Sequence, residues 1–319
     1  MSDTAPRVIV VAGPTATGKS ALALRVAEKF NGVLINADSI QCYRDLPILT
    51  ARPSAADEAR APHRLFGFLG PRELLSAVTW ADRAATEIQT AKAESKVPIL
   101  VGGTGLYLMA LMEGFADIPA IPDEIRVEAR DMTARIGPSY MHRMLAERDP
   151  ETAARISVND PQRIARAWEV LEATGQPISW WQAQSKRPPL EASYFSVQLM
   201  PVRETLYDLC NQRFDAMMAA GAVDQVRALA ATGVSDQAPV MRALGARELA
   251  AHILGGGALA GAVEAAKAAT RHYAKRQSTW FKNQFRASRV ENTQFYERLL
   301  QGIFNKIDRF LLTGDPGGD

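Results

Sequence analysis

Short apolar runs alternate with amphipathic segments in the first third of the chain. Residues 7–11 form an apolar, β-branched run, and the next segment carries apolar residues at Leu22, Val26 and Phe30, the spacing of a helix. Two further apolar runs occur in GVLINADS and in VPILVGGTG. Short apolar strands that alternate with helical segments predict a parallel β-sheet flanked by helices. Ligands of such sheets bind beyond the carboxyl ends of the strands.

The pattern changes near residue 118. The segment DIPAIPDEIR is punctuated by proline, and the charged helical patterns that follow it include PQRIARAWEVLEATGQ. A strand-like stretch, YFSVQLM, returns only near Phe195. We therefore predict a sheet domain formed by residues 1–118 and 200–319, interrupted by a helical insertion of residues 119–199. The glycine run Gly255–Gly257 predicts a turn that ends a helix.

Composition narrows the class of protein only a little. The chain has 319 residues, of which 47% are hydrophobic, enough for one large core or two modest ones. Lys and Arg (37) barely exceed Asp and Glu (35), so the net charge says little about partners. The start, MSDTAPR, has no apolar signal core, and no apolar run is long enough to span a bilayer. We expect a cytoplasmic protein with no membrane partner, and Cys42 and Cys210, which lie in no metal-ligand spacing, suit a reducing compartment.

The strongest motif is GPTATGKS, Gly13–Ser20, which follows the first apolar run and precedes the first helical segment. It fits the phosphate-binding P-loop pattern, in which backbone N–H groups and a helix N-terminus favour anions. Lys19 adds a positive charge, and the Ser20 hydroxyl can hold Mg²⁺. The sequence therefore predicts an α/β fold of the P-loop NTPase type.

Three polar residues near the predicted strand ends or in later helices allow more than one interpretation. No carboxylate follows the ILVGGTG strand, whereas Asp38 ends the GVLIN strand, where it could ligate a metal, accept a proton or cap a turn. Thr104 lies among glycines that let a backbone approach a ligand closely, although a plain turn residue fits equally. Arg213 lies in an amphipathic helix, where a surface salt bridge is the simplest reading.

A basic segment near the carboxyl end suggests nucleic-acid binding. No acidic residue occurs between Lys267 and Arg289. The basic residues and the interleaved aromatic residues are Arg271, Lys275, Lys282 and Arg286, with Tyr273, Trp280 and Phe281. Such residues can neutralise RNA phosphates and stack on unpaired bases, but a solvated basic face with inward aromatics is an equally good reading. Arg163 and Arg166 offer similar contacts on a helix that begins at Pro161 after Asn159 or Asp160.

Taken in order, several motifs resemble the tRNA dimethylallyltransferase family of the bacterial type. They are GPTATGKSALAL, INADSIQCYR, TARPS, APHRL, PILVGGTGLYLMAL, NDPQRIARAWEV and YAKRQSTWFKNQ. The resemblance runs over nearly the whole chain, to about Gln284. It implies transfer of a dimethylallyl group from its diphosphate to N6 of the adenosine at tRNA position 37, with diphosphate as the leaving group. It also implies a monomer with no obligate protein partner, and no Cys/His zinc finger follows residue 289.

The resemblance assigns roles to individual residues. It implies that the diphosphate lies on Gly13, Pro14, Thr15, Ala16, Thr17, Gly18, Lys19 and Ser20, with Mg²⁺ at Ser20. It implies a general base in Asp38, a contact with the target base in Thr104 and a diphosphate ligand in Arg213. The implied tRNA contacts are Asp38, Ser39, Ile40, Gln41, Thr104, Arg126, Gln162, Arg163, Ile164, Ala165, Arg166, Lys275, Arg276, Gln277, Trp280 and Lys282. The insertion of residues 119–199 would grip the anticodon stem-loop.

The chain departs from the family pattern at a few positions. Ile40 replaces a polar or basic residue, Leu49 a glycine, Arg52 a lysine and Ala246 a tyrosine, while Gly67 and Gly70 stand where acidic residues are common. None of these departures touches the glycine loop, Asp38, Thr104 or Arg213.

Three other functions stay open on the sequence. An adenylate isopentenyltransferase would prenylate free AMP, ADP or ATP, although a long insertion and a basic helix are superfluous for a mononucleotide. A small-molecule kinase would turn over ATP, although the carboxylate of an ordinary ATP site is missing after the ILVGGTG strand. A nucleotide-gated RNA-binding module would have no chemistry to lose on mutation.

Overall fold

The computed structural model describes residues 5–184 and 186–316. Most of the MSDTAPR start, on which the expectation of no signal core rests, therefore lies outside the described residues. The described chain divides into two compact units, one of residues 1–112 with 189–319 and one of residues 113–188. No helix in the described ranges combines the length and the apolar character that a bilayer crossing requires.

The first unit is built on a six-stranded parallel sheet in the order β3-β2-β4-β1-β5-β6. Its strands are β1 (Arg7–Ala12), β2 (Gly32–Asn36), β3 (His63–Arg64), β4 (Val97–Gly102), β5 (Ser193–Leu199) and β6 (Arg289–Glu291). The predicted α/β fold is confirmed, with β1, β2 and β4 formed by the three apolar runs. Strands β3 and β6 are too short to leave an apolar pattern in the sequence.

The first unit also contains helices, some of which pack against this sheet and some against one another. They are α1 (Lys19–Phe30), α2 (Ala55–Glu58), α3 (Ala77–Ala93), α4 (Gly105–Met112), α10 (Arg203–Ala219), α11 (Ala222–Ala231), α12 (Ala246–Gly255), α13 (Leu259–Gln284) and α14 (Leu300–Thr313), with short 3₁₀ helices at Pro239–Arg242 and Glu297–Leu299. Leu22 and Val26 of α1 are buried, as their spacing predicts. The α12 helix ends in the predicted glycine turn, where Gly256 adopts a left-handed conformation.

The core of the first unit lies between the central strands and two helices. Leu22 and Val26 of α1 and Ile307 and Phe310 of α14 pack in one cluster with side chains of β1, β2, β4 and β5. The Phe310 ring lies 5.7 Å from the ring of Phe195 on β5, centroid to centroid. Burial of this apolar surface fixes the strands and therefore the positions of the loops at their carboxyl ends.

The second unit is helical throughout its regular structure. Its helices are α5 (Asp123–Ile136), α6 (Pro138–Arg148), α7 (Pro150–Arg155), α8 (Pro161–Thr174) and α9 (Ile178–Gln182). The Asp160 side chain caps α8 by accepting from the Arg163 N–H group, and Gly175 ends it in a left-handed conformation. The unit differs in its bounds from the predicted 119–199, because Ser193–Leu199 forms β5 and pairs with β1 along its whole length.

Candidate active site

The glycine loop between β1 and α1 is shaped by close backbone approaches. Gly13 has φ +142°, and a Cβ there would meet the Leu199 carbonyl oxygen at 2.4 Å. Gly18 caps α1 in a left-handed conformation. The Thr17 hydroxyl and the Lys19 ammonium group both donate to the Pro14 carbonyl, at 3.0 and 2.6 Å. The loop therefore forms a strand–loop–helix turn that ends at the N-terminus of a 12-residue helix, where backbone N–H groups favour anions.

Gln277 of α13 ties this loop to the loop after β4. Its side-chain oxygen accepts from the Thr15 N–H group at 2.9 Å, and its amide nitrogen donates to the Gly103 carbonyl at 2.8 Å. A Cβ on Gly103 would meet that nitrogen at 2.4 Å, so the glycine is needed for the approach. Gln277, which was predicted to contact tRNA, is buried here, with both ends of its amide bonded to backbone.

Asp38 lies just after β2 and is held by a buried asparagine. The Asn36 side chain is fully buried, accepts from the Asp38 N–H group at 2.8 Å and donates to the Asp38 carbonyl at 2.9 Å. One carboxylate oxygen, Oδ1, accepts from the Ile40 N–H group at 3.0 Å. Asp38 therefore caps a turn, which is one of the three roles that the sequence allowed for it. Its second carboxylate oxygen, Oδ2, has no such backbone partner in the described chain. The cap fixes the carboxylate in place and leaves one oxygen to accept a proton.

Asp38 lines a cavity of about 290 Å³ beside the glycine loop. The other lining residues are Thr15, Ser39, Ile40, Leu49, Thr50, Arg213, Arg242, Leu244, Tyr273 and Arg276. Six of these eleven were predicted site residues, and the structure brings them together from segments as far apart as Thr15 and Arg276. Leu49, Thr50, Arg242, Leu244 and Tyr273 were missed as site residues, because nothing in the local sequence of each points to a shared cavity.

Arg213 joins the glycine loop to the wall of the cavity. Its guanidinium group donates to the Thr15 hydroxyl at 2.9 Å and to the Thr50 carbonyl at 3.4 Å. The surface salt bridge that sequence alone favoured is absent among the described residues, and the Asp38 charge interacts with the guanidinium across the cavity. A fixed guanidinium beside a P-loop is a ligand for an anion held there.

Lys19 carries an unusually weakly held proton. The pKa of Lys19 is lowered from 10.5 to about 8, mainly because the ammonium group is removed from water and secondly because of the Arg213 charge, while the Asp38 charge partly offsets both. Burial and the neighbouring Arg213 charge both disfavour the Lys19 ammonium group, and a bound anion would stabilise it.

Thr104 supports the Asp38 loop from β4. Its hydroxyl accepts from the Ser39 N–H group at 2.9 Å, and its own N–H group donates to the Ala37 carbonyl at 3.2 Å. The Tyr273 hydroxyl bonds to the Thr104 side chain, and burial raises the pKa of that phenol, so it stays protonated. Thr104 therefore does not line the cavity itself but supports Ser39 and Tyr273, which do.

Ser20 and Gln41 do not line the cavity that holds Asp38. Ser20 lines a neighbouring cavity of about 330 Å³ together with Arg52 and Phe295, rather than the one that holds Asp38. The Gln41 amide group donates to the Thr50 and Ala51 carbonyls at 3.0 and 3.1 Å. Gln41 therefore holds the loop that carries the cavity wall.

The outer side of α13 forms an open groove of about 520 Å³. Its lining residues are His272, Lys275, Arg276, Thr279, Trp280, Asn283 and Gln284. Lys275, Arg276 and Lys282 are exposed, and no carboxylate of the described residues forms a salt bridge with any of them. Phe281 is buried and Arg286 lies beyond the helix end, so only part of the predicted basic face is formed.

The predicted tRNA contacts of the second unit separate into exposed and buried positions. Gln162 and Arg163 are exposed on α8, whereas the side chains of Ile164 and Ala165 are buried. Arg166 bonds to the buried Glu169 at 3.3 Å. Arg126 on α5 forms a salt bridge with the exposed Asp123 at 3.3 Å.

These features define a class of protein: a P-loop α/β protein whose glycine loop borders a cavity lined by the Asp38 carboxylate and the guanidinium groups of Arg213, Arg242 and Arg276. Comparisons with known proteins narrow the class. The family model described as IPP transferase matches residues 41–284. The chain therefore belongs to the IPP transferase family.

Individual relatives match over nearly their whole length. A tRNA dimethylallyltransferase of Paramagnetospirillum magneticum is 50% identical over 98% of this chain and 99% of its own, and one of Rhodospirillum rubrum is 48% identical over 96% of both. The crystal structure of a tRNA isopentenylpyrophosphate transferase from Bacillus halodurans has a TM-score of 0.71 at 30% identity over 97% of each chain. A eukaryotic dimethylallyltransferase captured acting on tRNA has a TM-score of 0.83 at 25% identity over 98% of this chain and 81% of its own.

Proposed function

We propose that this enzyme transfers a dimethylallyl group from dimethylallyl diphosphate to N6 of the adenosine at tRNA position 37 and releases diphosphate. The observation that carries the proposal is that Asp38, Thr15 and Arg213 line one cavity beside the glycine loop. Membership of the family and the names of the relatives supply the substrate class. The absence of a carboxylate just after β4 also fits, because no phosphoryl group has to be transferred.

The reaction needs a base, an anion cradle and an exact placement of both substrates. The allylic C–O bond breaks, a C–N bond forms, the N6 proton passes to Asp38, and diphosphate leaves with the bonding electrons of the C–O bond. The amine of adenine is a weak nucleophile, so its position and a proton acceptor beside it both contribute. The loop N–H groups, Lys19 and Arg213 would stabilise the negative charge that develops on the leaving diphosphate.

Mg²⁺ fits the loop as an ion carried mainly by the substrate. The exposed Ser20 hydroxyl, one residue after Lys19, offers a single oxygen ligand. No group of three or more His, Cys, Asp or Glu side chains in the described part of the chain could hold a metal ion. Mg²⁺ commonly takes one or two protein ligands and completes its shell with substrate phosphates and water. When bound, the ion would neutralise charge on the leaving diphosphate.

The RNA would reach the cavity with its target base unstacked, as chemistry on a stacked base requires. Of the predicted contacts, we assign the α13 groove, with Lys275, Arg276, Trp280 and the adjoining Lys282, to the RNA backbone and an unpaired base. We assign Gln162 and Arg163 of the second unit to the anticodon stem. Phosphate contacts of this kind position the RNA, while the cavity selects the base.

The function is tested by offering dimethylallyl diphosphate with either an unmodified tRNA anticodon stem-loop or AMP. Mass spectrometry of the products should show the RNA heavier by one dimethylallyl group and the AMP unchanged. Prenylated AMP with untouched RNA would contradict the proposal. Transfer of label from the γ-phosphate of ATP to a small acceptor would instead establish a kinase.

Lys275→Ala should weaken tRNA binding at all salt concentrations and reduce the slope of log affinity against log salt by about 1. The reason is that the exposed ammonium group would release one condensed counterion from the RNA. The measurement is stem-loop binding over a salt series. Lys29→Ala is the matched control, since Lys29 is an exposed lysine in the last turn of α1. An unchanged slope for Lys275→Ala would remove the groove from the RNA interface.

Affinity for inorganic diphosphate should fall as the pH rises through about 8. Below that pH Lys19 is protonated in the free enzyme, and above it binding must take up a proton, so affinity declines by at most about tenfold per pH unit. Lys19→Arg should remove this decline, because arginine stays charged. The two proteins are compared with the same ligand by calorimetry, so the titration of diphosphate itself cancels. Identical pH profiles would contradict the assignment of Lys19.

A further inference from the structure

The cavity that holds Asp38 has one apolar region. Of its lining residues, Ile40, Leu49 and Leu244 are aliphatic, and the others are polar, charged or tyrosine. Leu49 is 4% exposed, whereas Ile40 and Leu244 are half-buried. An isoprenoid chain would be sheltered from water only against these three side chains.

The backbone that carries Leu49 is held on both sides. The Ile48 and Leu49 N–H groups both donate to the Gln225 side-chain oxygen, at 3.0 and 3.3 Å. The next carbonyl, that of Thr50, accepts from Arg213. Leu49 is therefore one residue from a carbonyl bound by the guanidinium group that also contacts the glycine loop. The aliphatic residues, which we call the apolar wall, therefore begin beside the part of the cavity that borders the glycine loop. The backbone hydrogen bonds on either side hold the buried Leu49 in place.

We propose that Leu49, which stands where the family pattern has glycine, narrows the cavity of this chain together with Ile40 and Leu244 and so favours a five-carbon prenyl donor over longer ones. The proposal rests on the proposed function and assigns chain-length selection to this wall. The cavity of about 290 Å³ is at the small end of the roughly 300–1,000 Å³ typical of ligand pockets. It has to admit the prenyl group beside Asp38 and the loop, so a ten-carbon chain would collide with the wall.

The chemistry of a longer donor is the same. With geranyl diphosphate the allylic C–O bond breaks, the C–N bond to the adenine amine forms, Asp38 takes the proton and diphosphate leaves. No additional reactant is needed, so the size of the cavity alone decides between the two donors.

The test compares wild type and Leu49→Ala with dimethylallyl and geranyl diphosphate on the tRNA anticodon stem-loop. The ratio of kcat/KM for geranyl to that for dimethylallyl diphosphate should rise by about 10–200-fold in Leu49→Ala, the discrimination that apolar pockets of this kind provide. Mass spectrometry should show RNA that carries a ten-carbon group. Leu244→Ala, at a half-buried position that tolerates truncation more readily, should shift the ratio in the same direction.

Leu69→Ala is the matched control, because Leu69 is 5% exposed and does not line the cavity. The proposal is overturned if Leu49→Ala and Leu244→Ala keep the wild-type donor ratio, or if Leu69→Ala shifts it as much. Binding of the unreactive thiolodiphosphates of both chain lengths, measured by calorimetry, separates this outcome from a failure of the proposed function. If the wild type binds the short analogue more tightly but leaves the RNA unmodified, the proposed function is contradicted, while the selection of chain length by the aliphatic residues is retained.

Discussion

Asp38→Asn lowers turnover by about 10²–10⁴-fold and leaves tRNA affinity nearly unchanged, if Asp38 is the general base. Asparagine keeps an oxygen that can accept from the Ile40 N–H group, so the turn after β2 persists. It cannot take the proton of the amine. The substitution therefore separates the two roles that the structure allows for this side chain.

The measurements are single-turnover rates of RNA prenylation and stem-loop binding for wild type, Asp38→Asn and Asp38→Ala. Asp38→Ala removes the cap as well and should show the same loss of rate with some additional loss of binding. A near-normal rate for Asp38→Asn, with a loss confined to Asp38→Ala, would mean that the residue acts only through the turn.

Arg213→Ala should lower turnover by about 10²–10³-fold, the usual cost of removing one donor to a developing anion. The guanidinium bridges the Thr15 hydroxyl and the Thr50 carbonyl, so it also fixes the loop relative to the wall of the cavity. Arg213→Lys should recover only part of the loss, because an ammonium group cannot reproduce the fork.

The control for this series lies on the same helix. Arg203 is exposed and bonds to the Tyr207 hydroxyl at 3.0 Å, so Arg203→Ala should leave the rate unchanged. The measurements are kcat and KM for dimethylallyl diphosphate, with thermal unfolding as the check on folding. Equal effects at Arg203 and Arg213 would show that the loss comes from helix α10 as a whole.

The parts of the fold that sequence reasoning predicted are those with a local signal. The glycine loop, the turn at Asp38 and the cap at Asp160 each depend on a few neighbouring residues with a defined backbone role. The carboxyl bound of the insertion differed because the strand-like pattern of YFSVQLM does not show which unit the strand at Ser193–Leu199 joins. Sheet membership there depends on pairing with β1, far away in the chain.

Helix phase was the main limit on predicting the site. Gln277 lies between exposed Arg276 and half-buried Ser278 on a 26-residue helix, and only its contacts with Thr15 and Gly103 show that it faces inward. Ile164 and Ala165 were included because a whole segment was carried over, although a helix turns side chains away every few residues. Tyr273 and Leu244 enter the site through tertiary packing alone.

Gln277 forms one hydrogen bond to the glycine loop and another to the loop after β4, and this pair of bonds has a geometric consequence. Helix α13 carries Lys275 and Trp280, which line its open groove, and the same helix holds the glycine loop in place through Gln277. In the proposed reaction this helix would therefore fix the distance between the bound RNA and the leaving diphosphate. One residue inserted between Lys275 and Gln277 would rotate Lys275 by about 100° about the helix axis relative to Gln277, while Trp280 would keep its phase with Gln277.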